Sequence, residues 1–290
     1  MSDRSPPDSL PAFAMPQGAC DAHCHIVGPR TRFPFAAARD GQTAPDATKE
    51  MLRAMHARLG VSRAVIVQSG LHGTDPAVTL DAVASSGGAW RGVILAEPSI
   101  GDATLARLDA AGIRGIRHNL VHQEGGRWDE AGLQHLAARA AGLGWHFLLH
   151  LKAGQLLAQG DFLRRLPIPL VIDHLARLDP RLGPEQPAMQ ALRVLIDSGR
   201  VWVKIAAIDK LSRAPYPHRD MAALAAVLLR AAPERIIWGT DWPHPDGRGL
   251  RGGAMPDDAR LAALIPLFAE DEASRHKLLV DNPAALYGFA

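Results

Sequence analysis

The stretch Ile236-Ile237-Trp238-Gly239-Thr240-Asp241-Trp242-Pro243-His244-Pro245 is an apolar run that ends in a carboxylate and a loop with two prolines. An apolar run flanked by Ala/Leu/Arg segments of helical period indicates a buried strand of a parallel sheet. Seven other segments have this form, so the candidate strands are Cys20–His25, Arg63–Gln68, Trp90–Leu95, Gly115–Leu120, Trp145–His150, Leu170–His174, Val201–Ile205 and Ile236–Asp241. Eight strands that alternate with helices predict an α/β fold, a single (β/α)8 barrel of the TIM type.

The length and composition of the chain agree with one barrel domain. Its 290 residues are 47% hydrophobic, which is enough to bury one large core. The first 17 residues contain four prolines and lack the pattern of an export signal. We therefore expect a flexible N-terminal arm over residues 1–17 and one (β/α)8 barrel domain over residues 18–290.

Charge and hydrophobicity limit the partners of the protein. Lys plus Arg number 32 against 30 Asp plus Glu, which argues against nucleic acid as a partner. The apolar segment Met221–Leu229 is shorter than the roughly 20 residues that cross a bilayer, so we expect no membrane span. Cys20 and Cys24 lie too far apart on an extended strand for a disulfide. They are expected to be reduced thiols packed against helices, as in a cytoplasmic protein.

Several helix starts and two long irregular segments complete the pattern. Asp75-Pro76 before Ala77–Ser85, and Pro256-Asp257-Asp258 before Ala259–Phe268, are typical helix N-termini. The irregular segments are Val27–Pro45 and Pro243–Met255, which follow the first and the eighth strands. Both are expected at the C-terminal face of the barrel, where barrel enzymes carry their active sites.

Ionisable residues end three of the predicted strands. In the first strand, Asp21, His23 and His25 alternate with smaller residues, so we expect these three side chains to share one face. The sixth strand ends in Asp173-His174, and the eighth ends in Asp241. An isolated buried histidine is more often a hydrogen-bonded core residue than a catalytic one. The convergence of three strand ends favours a shared site.

Two chemistries fit the set His23, His25, His174 and Asp241. The four side chains have the ligand types that bind a divalent ion such as zinc or manganese, which generates hydroxide from water. Alternatively, Asp241 acts as a general base on water while the histidines hydrogen-bond the polarised carbonyl oxygen, with no ion. The residue types alone leave both possibilities open.

Other polar residues are candidates for substrate binding. Arg117 and Asn119 share a face of the fourth strand, and an arginine inside a barrel needs either a nearby acid or a substrate carboxylate. Ser69 follows the second strand and is able to donate a hydrogen bond, while His150 and Lys204 are candidates for the mouth. Four further basic residues lie in predicted loops, where we expect their side chains to be exposed to solvent: Lys210, Arg213, Arg248 and Arg251.

Several motifs together resemble one branch of the amidohydrolase superfamily, that of 2-pyrone-4,6-dicarboxylate lactonase and its relatives. The motifs are Cys20-Asp21-Ala22-His23-Cys24-His25-Ile26-Val27-Gly28-Pro29, Arg32-Phe33-Pro34, Gly115-Ile116-Arg117-His118-Asn119, Asp173-His174, Gly239-Thr240-Asp241-Trp242-Pro243-His244-Pro245 and Asp281–Phe289. They cover nearly the whole chain after the arm. The resemblance implies a hydrolase that opens a small acidic lactone and a role in the breakdown of aromatic compounds.

The resemblance also implies roles for individual residues. Asp241 would take a proton from water, and His23, His25 and His174 would surround the lactone carbonyl. Arg117 would face a substrate carboxylate, and the rest of the substrate-binding set would be Asn119, Ser69, His150, Lys210 and His244. Because the lactonase branch works without a metal, no cofactor is expected. A homo-oligomer is compatible with the sequence.

Three departures from the lactonase pattern concern the substrate. Where the dicarboxylate lactonases have a second arginine after the fourth strand, this chain has His122-Gln123-Glu124, and His150 and Lys210 stand in place of a tyrosine and an arginine. These changes favour a related lactone with one carboxylate, a sugar-acid ring or a sulfonated ring. The alternatives are a metal-dependent decarboxylase of the same superfamily and a ligand-binding barrel without activity.

Overall fold

The computed structural model describes residues 10–39, 41–125, 128–244 and 255–289. Its parallel strands follow the sequence prediction closely, with differences of one to three residues at some ends. The strands are β1 (Cys20–Cys24), β2 (Arg63–Val67), β3 (Trp90–Leu95), β4 (Ile113–Asn119), β5 (His146–His150), β6 (Leu170–Ile172), β7 (Val201–Ile205) and β8 (Ile236–Trp238).

The strands form one eight-stranded sheet in the order of the sequence, and each strand pairs in parallel with the next. The sheet closes because the segment after β8 bonds to β1. The Asp241 amide donates to the His23 carbonyl at 2.8 Å, and the His25 amide donates to the Trp242 carbonyl at 2.7 Å. The predicted single (β/α)8 barrel is therefore confirmed.

Helices occupy most of the connections between strands. They are α1 (Lys49–Leu59), α2 (Ala77–Ala84), α3 (Asp102–Ala110), α4 (Glu130–Ala141), α5 (Ala153–Arg165), α6 (Pro187–Asp197), α7 (Ile208–Leu211), α8 (Arg219–Ala231), α9 (Asp258–Ala262), α10 (Glu272–His276) and α11 (Asn282–Tyr287). The helix predicted over Ala259–Phe268 is wrong in its extent, because α9 ends at Ala262 and a 3-10 turn follows at Ile265–Leu267. Pro266 has no N–H for a helical hydrogen bond and interrupts the helix there.

An irregularity in β1 changes which side chains face the barrel interior. The register of β1 against β2 shifts between Asp21 and Cys24, which places an extra residue in β1 as in a β-bulge. Cys20 and Ala22 join the apolar interior, whereas Cys24 packs on the outside of the sheet. Asp21 turns towards His56 of α1. The expectation that Asp21 shares a face with His23 and His25 is therefore wrong.

The two thiols and the described N-terminal residues are packed against the barrel. Both cysteines are free and buried, as predicted, but only Cys24 packs towards the helices. Leu10, Phe13 and Met15 from the expected arm are partly buried against the main core, and residues 1–9 lie outside the described residues. None of the helices in the described ranges has the length and hydrophobicity needed to span a membrane.

Candidate active site

A cavity of about 130 Å³ opens at the carboxyl ends of the strands. Loops after β1, β2 and β4 form one wall, and the ends of β5, β6 and β8 form the other. Its lining residues are His25, Arg39, Gln42, Thr43, Ala44, Ser69, Gly70, Leu71, Arg117, Asn119, His122, Glu124, His150, His174 and Asp241. The cavity thus has the location that the barrel architecture predicts for an active site.

Three histidines surround one oxygen of Asp241. The Nε2 atoms of His23 and His25 each lie 3.5 Å from Asp241 Oδ1, and the Nε2 atom of His174 lies 4.0 Å from it. The four side chains come from the ends of β1, β6 and β8. They are almost completely buried. The structure therefore brings together the four residues that the sequence nominated for catalysis.

The backbone at two of these residues is strained. His174 and Asp241 have φ values of 50° and 62°, in the left-handed region that side chains other than glycine rarely adopt. Such a conformation costs on the order of 1–3 kcal/mol for each residue and persists where the surrounding structure enforces it. Both residues lie just beyond a strand, since β6 ends at Ile172 and β8 at Trp238, and the left-handed backbone accompanies the approach of His174 to Asp241 Oδ1.

Asp21 holds the end of β8 against β1. One carboxylate oxygen accepts from the Thr240 amide at 3.0 Å, and the other accepts from the Thr240 hydroxyl at 2.6 Å. His56 donates to the same carboxylate at 3.0 Å. Because Thr240 directly precedes Asp241, this buried network fixes the backbone at Asp241 relative to β1.

Lys210 forms an ion pair with Asp241. Its Nζ atom donates to Asp241 Oδ2 at 2.5 Å, and both side chains are buried. Burial by itself raises the pKa of the Asp241 carboxyl, but Lys210 and the histidines outweigh burial and hold this pKa well below its ordinary value. The expectation that the Lys210 side chain is exposed to solvent is therefore wrong. The ion pair was not predicted from the sequence, because the two residues lie 31 positions apart.

His23 contacts a second buried ion pair below the cavity. Its Nδ1 atom lies 3.0 Å from Asp173 Oδ1 and 3.3 Å from Lys204 Nζ, and Lys204 lies 3.7 Å from Asp173. Burial lowers the pKa of His23 to about 3, although the Asp173 carboxylate raises it. Burial also lowers the pKa of His174, despite the neighbouring Asp241. Both rings are therefore neutral at pH 7 and act as hydrogen-bonding groups rather than as cations.

Arg117 contacts an acid of its own chain. Its Nη1 atom donates to the Gln68 carbonyl at 3.2 Å and lies 3.9 Å from Glu124 Oε2. Arg39, from the loop after β1, donates to the other oxygen of Glu124 at 3.3 Å. The Arg117 Nε–H has no hydrogen-bond partner among the described residues. Within the described structure, the hydrogen-bonding capacity of the guanidinium is therefore not fully used.

A model of the amidohydrolase family matches residues 20–289. The chain belongs to the amidohydrolase family. It is 38% identical to the 2-pyrone-4,6-dicarboxylate hydrolase of Comamonas testosteroni, over 96% of this chain and 93% of that protein. The 4-sulfomuconolactone hydrolase of Rhizobium radiobacter is 36% identical, over 96% and 92% of the two chains. The D-galactarolactone isomerase of Agrobacterium fabrum is 34% identical, over 96% and 94%. The family resemblance predicted from the motifs is confirmed.

The amidohydrolase site has a donor set that fits a divalent ion. His25 donates Nδ1–H to the Val67 carbonyl at 2.7 Å, and its Nε2 atom faces Asp241 Oδ1 at 3.5 Å. Metal-binding histidines commonly use the second nitrogen in this way. Tetrahedral zinc with bonds of about 2.1 Å separates its ligand atoms by roughly 3.4 Å. The 3.5 Å separations of His23 and His25 from Asp241 match that spacing.

The remaining predicted residues have different places in the amidohydrolase barrel. Ser69 lines the cavity, and its hydroxyl accepts from the Leu71 amide at 3.3 Å. His150 also lines it, and Arg177 donates to its Nε2 atom at 3.4 Å. His244 lies outside the lining, where its Nε2 atom contacts Asp258 of α9 at 3.0 Å. Pro245, Arg248 and Arg251 lie outside the described residues.

Two cavity residues with charged side chains were not predicted. Arg39 belongs to the irregular segment after β1, and its neighbours in sequence gave no motif. Glu124 was noted only as part of a departure from the lactonase pattern. The dicarboxylate lactonases have an arginine in this segment, and that difference was the one feature of the sequence that could have indicated Glu124 as a cavity residue.

Proposed function

We propose that this protein is a hydrolase that opens a small lactone carrying a carboxylate. The observation that carries the proposal is a buried carboxylate, Asp241, ringed by three histidines in a cavity that also contains Arg117. Two of the relatives reported above are named as lactone hydrolases. None of those three relatives is named as a decarboxylase, so the alternative has no support from them.

Asp241 is the proposed general base. Its lowered pKa keeps it ionised at neutral pH, which is the unprotonated form in which a general base acts. The water oxygen then forms a bond to the lactone carbonyl carbon, which gives a tetrahedral oxyanion. When the ring C–O bond breaks, the proton passes from Asp241 to the leaving oxygen. The product is an open chain with a new carboxyl group and a new hydroxyl group.

A neutral histidine and a lysine would stabilise the developing oxyanion. Because burial keeps His174 neutral, it contributes an N–H donor rather than charge. Neutral His23 gives its single N–H to Asp173 at 3.0 Å, so it orients the site and does not donate to the oxyanion. The ammonium of Lys210 supplies the positive charge, held 2.5 Å from Asp241. Donors that are already in position when charge develops stabilise a transition state without reorganisation, and one such donor is commonly worth 10²–10³ in rate.

Arg117 is the proposed anchor for the substrate carboxylate. Its guanidinium is buried and retains an unpaired Nε–H within the described structure. A guanidinium binds a carboxylate through planar, charge-assisted hydrogen bonds. Ser69 and His150 line the same cavity and would contact the ring. The substrate is thus proposed to lie between the Arg117 side and the Asp241 side of the cavity.

Hydrolysis is proposed to proceed without a metal ion, although His23, His25 and Asp241 are able to hold one. A bound zinc or manganese ion would supply a water of lowered pKa at this place. One feature favours the metal-free reaction. Lys210 already places a positive charge 2.5 Å from Asp241, and a second cation at the same carboxylate would be repelled by it.

A lactone panel tests the proposed function. Purified protein should open at least one carboxylate-bearing lactone and should act far more weakly on the matching neutral ester. Ring opening is followed by proton release in weak buffer, and the product is identified by mass spectrometry. If no lactone in a panel of pyrones, muconolactones and sugar-acid lactones is opened, the proposal is wrong. A product of unchanged mass would instead indicate isomerisation, as the name of one relative describes.

A further inference from the structure

Glu124 is built into the wall of the cavity between two arginines. Its backbone pairs with Asn119 in both directions, at 2.9 and 3.0 Å, so the loop after β4 is closed on itself. Asn119 Nδ2 donates to Glu124 Oε2 at 2.8 Å, and Arg39 donates to Oε1 at 3.3 Å. Arg117 Nη1 lies 3.9 Å from Oε2. The carboxylate is therefore held from three sides.

Neighbouring residues are adapted to this position of Glu124. A Cβ atom at Gly70 would lie 1.9 Å from Glu124 Oε1. The Glu124 carboxylate therefore occupies the space that a side chain at position 70 would need. The Asn119 side chain is also committed, because its Oδ1 atom accepts from the amides of Val121 and His122 at 3.1 Å. Asn119 thus positions Glu124 and has little freedom to bind substrate itself.

The charges around the cavity set how many substrate carboxylates it can neutralise. Among the described lining residues of this wall, Arg39 and Arg117 carry two positive charges and Glu124 carries one negative charge, so these three side chains together keep one positive charge. Lys210 and Asp241 neutralise each other on the other side. Arg177 contacts His150 and is not part of the described lining. A first substrate carboxylate completes the charge balance, whereas a second one would meet the negative charge of Glu124.

The cavity surface suits hydroxyl groups better than an apolar ring. Among its described lining residues, only Ala44, Gly70 and Leu71 lack a polar side chain, and no Phe, Tyr or Trp is present. Pockets for planar apolar ligands are mostly lined by hydrophobic and aromatic side chains. Carboxylate and hydroxyl oxygens such as those of Glu124 and Thr43 accept hydrogen bonds from substrate hydroxyls.

We propose that Glu124 determines specificity by selecting lactones that carry one carboxylate together with hydroxyl substituents, and by rejecting dicarboxylates. The inference rests on the proposed lactone hydrolysis and names the substrate class of that site. Glu124 acts on the substrate by charge and hydrogen bonding and takes no part in the proton transfers of ring opening.

The test compares Glu124→Gln with the wild type on three probes. These are D-galactarolactone, which has one carboxylate and hydroxyls, D-galactonolactone, which has hydroxyls and no carboxylate, and 2-pyrone-4,6-dicarboxylate. The wild type should prefer D-galactarolactone. In Glu124→Gln, the ratio of kcat/KM for the dicarboxylate to that for D-galactarolactone should rise by at least about tenfold, which equals roughly 1.4 kcal/mol. If turnover of the dicarboxylate is too slow to measure, its affinity is compared instead, as its inhibition constant in the reaction with D-galactarolactone.

Matched variants separate selection from general damage. Glu130→Gln makes the same chemical change at an exposed residue of α4 that lies 4.0 Å from Arg165, and it should leave the ratio unchanged. Glu124→Asp keeps the charge and should retain rejection of the dicarboxylate even if its overall rate falls. Two results would overturn the role of Glu124 but leave the proposed function standing. The wild type could prefer the dicarboxylate, or the ratio of the two kcat/KM values could be the same in Glu124→Gln as in the wild type. Failure of the wild type on every lactone would overturn the proposed function as well.

Discussion

Two carboxylates in the same cavity, Asp241 and Glu124, have very different surroundings. Asp241 lies three residues after β8, is 3% exposed and faces one ammonium and three histidines. Glu124 lies in a loop, is 16% exposed and is flanked by two guanidinium groups. The rigid barrel thus holds the group assigned to chemistry, and a loop holds the group assigned to selection. The contrast predicts that changes at Asp241 lower turnover, whereas changes near Glu124 alter which substrate is used.

The largest effect is expected for Asp241→Asn. Loss of a general base lowers kcat by roughly 10²–10⁴, with a much smaller change in KM. The variant leaves Lys210 buried without its partner, so the thermal unfolding midpoint must be measured to confirm that the fold is kept. The exposed Asp197→Asn in α6 is the matched control. Turnover within a few-fold of the wild type in a folded Asp241→Asn variant would remove Asp241 from the role of base.

A smaller effect is expected for Arg117→Met. Loss of charge-assisted hydrogen bonds of about 1.5–3 kcal/mol should lower kcat/KM on a carboxylate-bearing lactone by about ten- to a hundredfold. The matching neutral ester should be affected much less, because it has no carboxylate to anchor. Equal losses on both substrates would mean that Arg117 supports the fold or the reaction rather than the acid group.

The pH profile should show a smaller effect again. The pKa of Asp241 is held well below its ordinary value, so activity is lost only when the pH falls through that lowered pKa. The rate at about pH 5 should stay within about twofold of the rate at pH 7, because an ordinary Asp titrates near 3.9. Lys210→Met removes the nearby ammonium and should move the acid limb to higher pH. An unmoved limb in Lys210→Met would mean that another group sets it.

The fold was more predictable from sequence than the charges of the site. Strand and helix periodicity is local, so the eight strands and the convergence of His23, His25, His174 and Asp241 were visible in the pattern. The pairs Lys210–Asp241 and Arg39–Glu124 join residues 31 and 85 positions apart and depend on loop conformation. The bulge in β1 also escaped prediction, because one extra residue reverses the alternation that places Asp21.

The smallest effect is expected from removal of metal ions. In the proposed reaction, Asp241, held ionised by Lys210, activates the water without a metal. Lactone ring opening should be measured before and after prolonged chelation, with the metal content of the same samples. We predict that at least about half of the activity survives with less than about a tenth of an equivalent of metal, since no ion is needed to lower the pKa of water. Metal-free protein that is inactive and regains activity with one equivalent of zinc or manganese would contradict the claim.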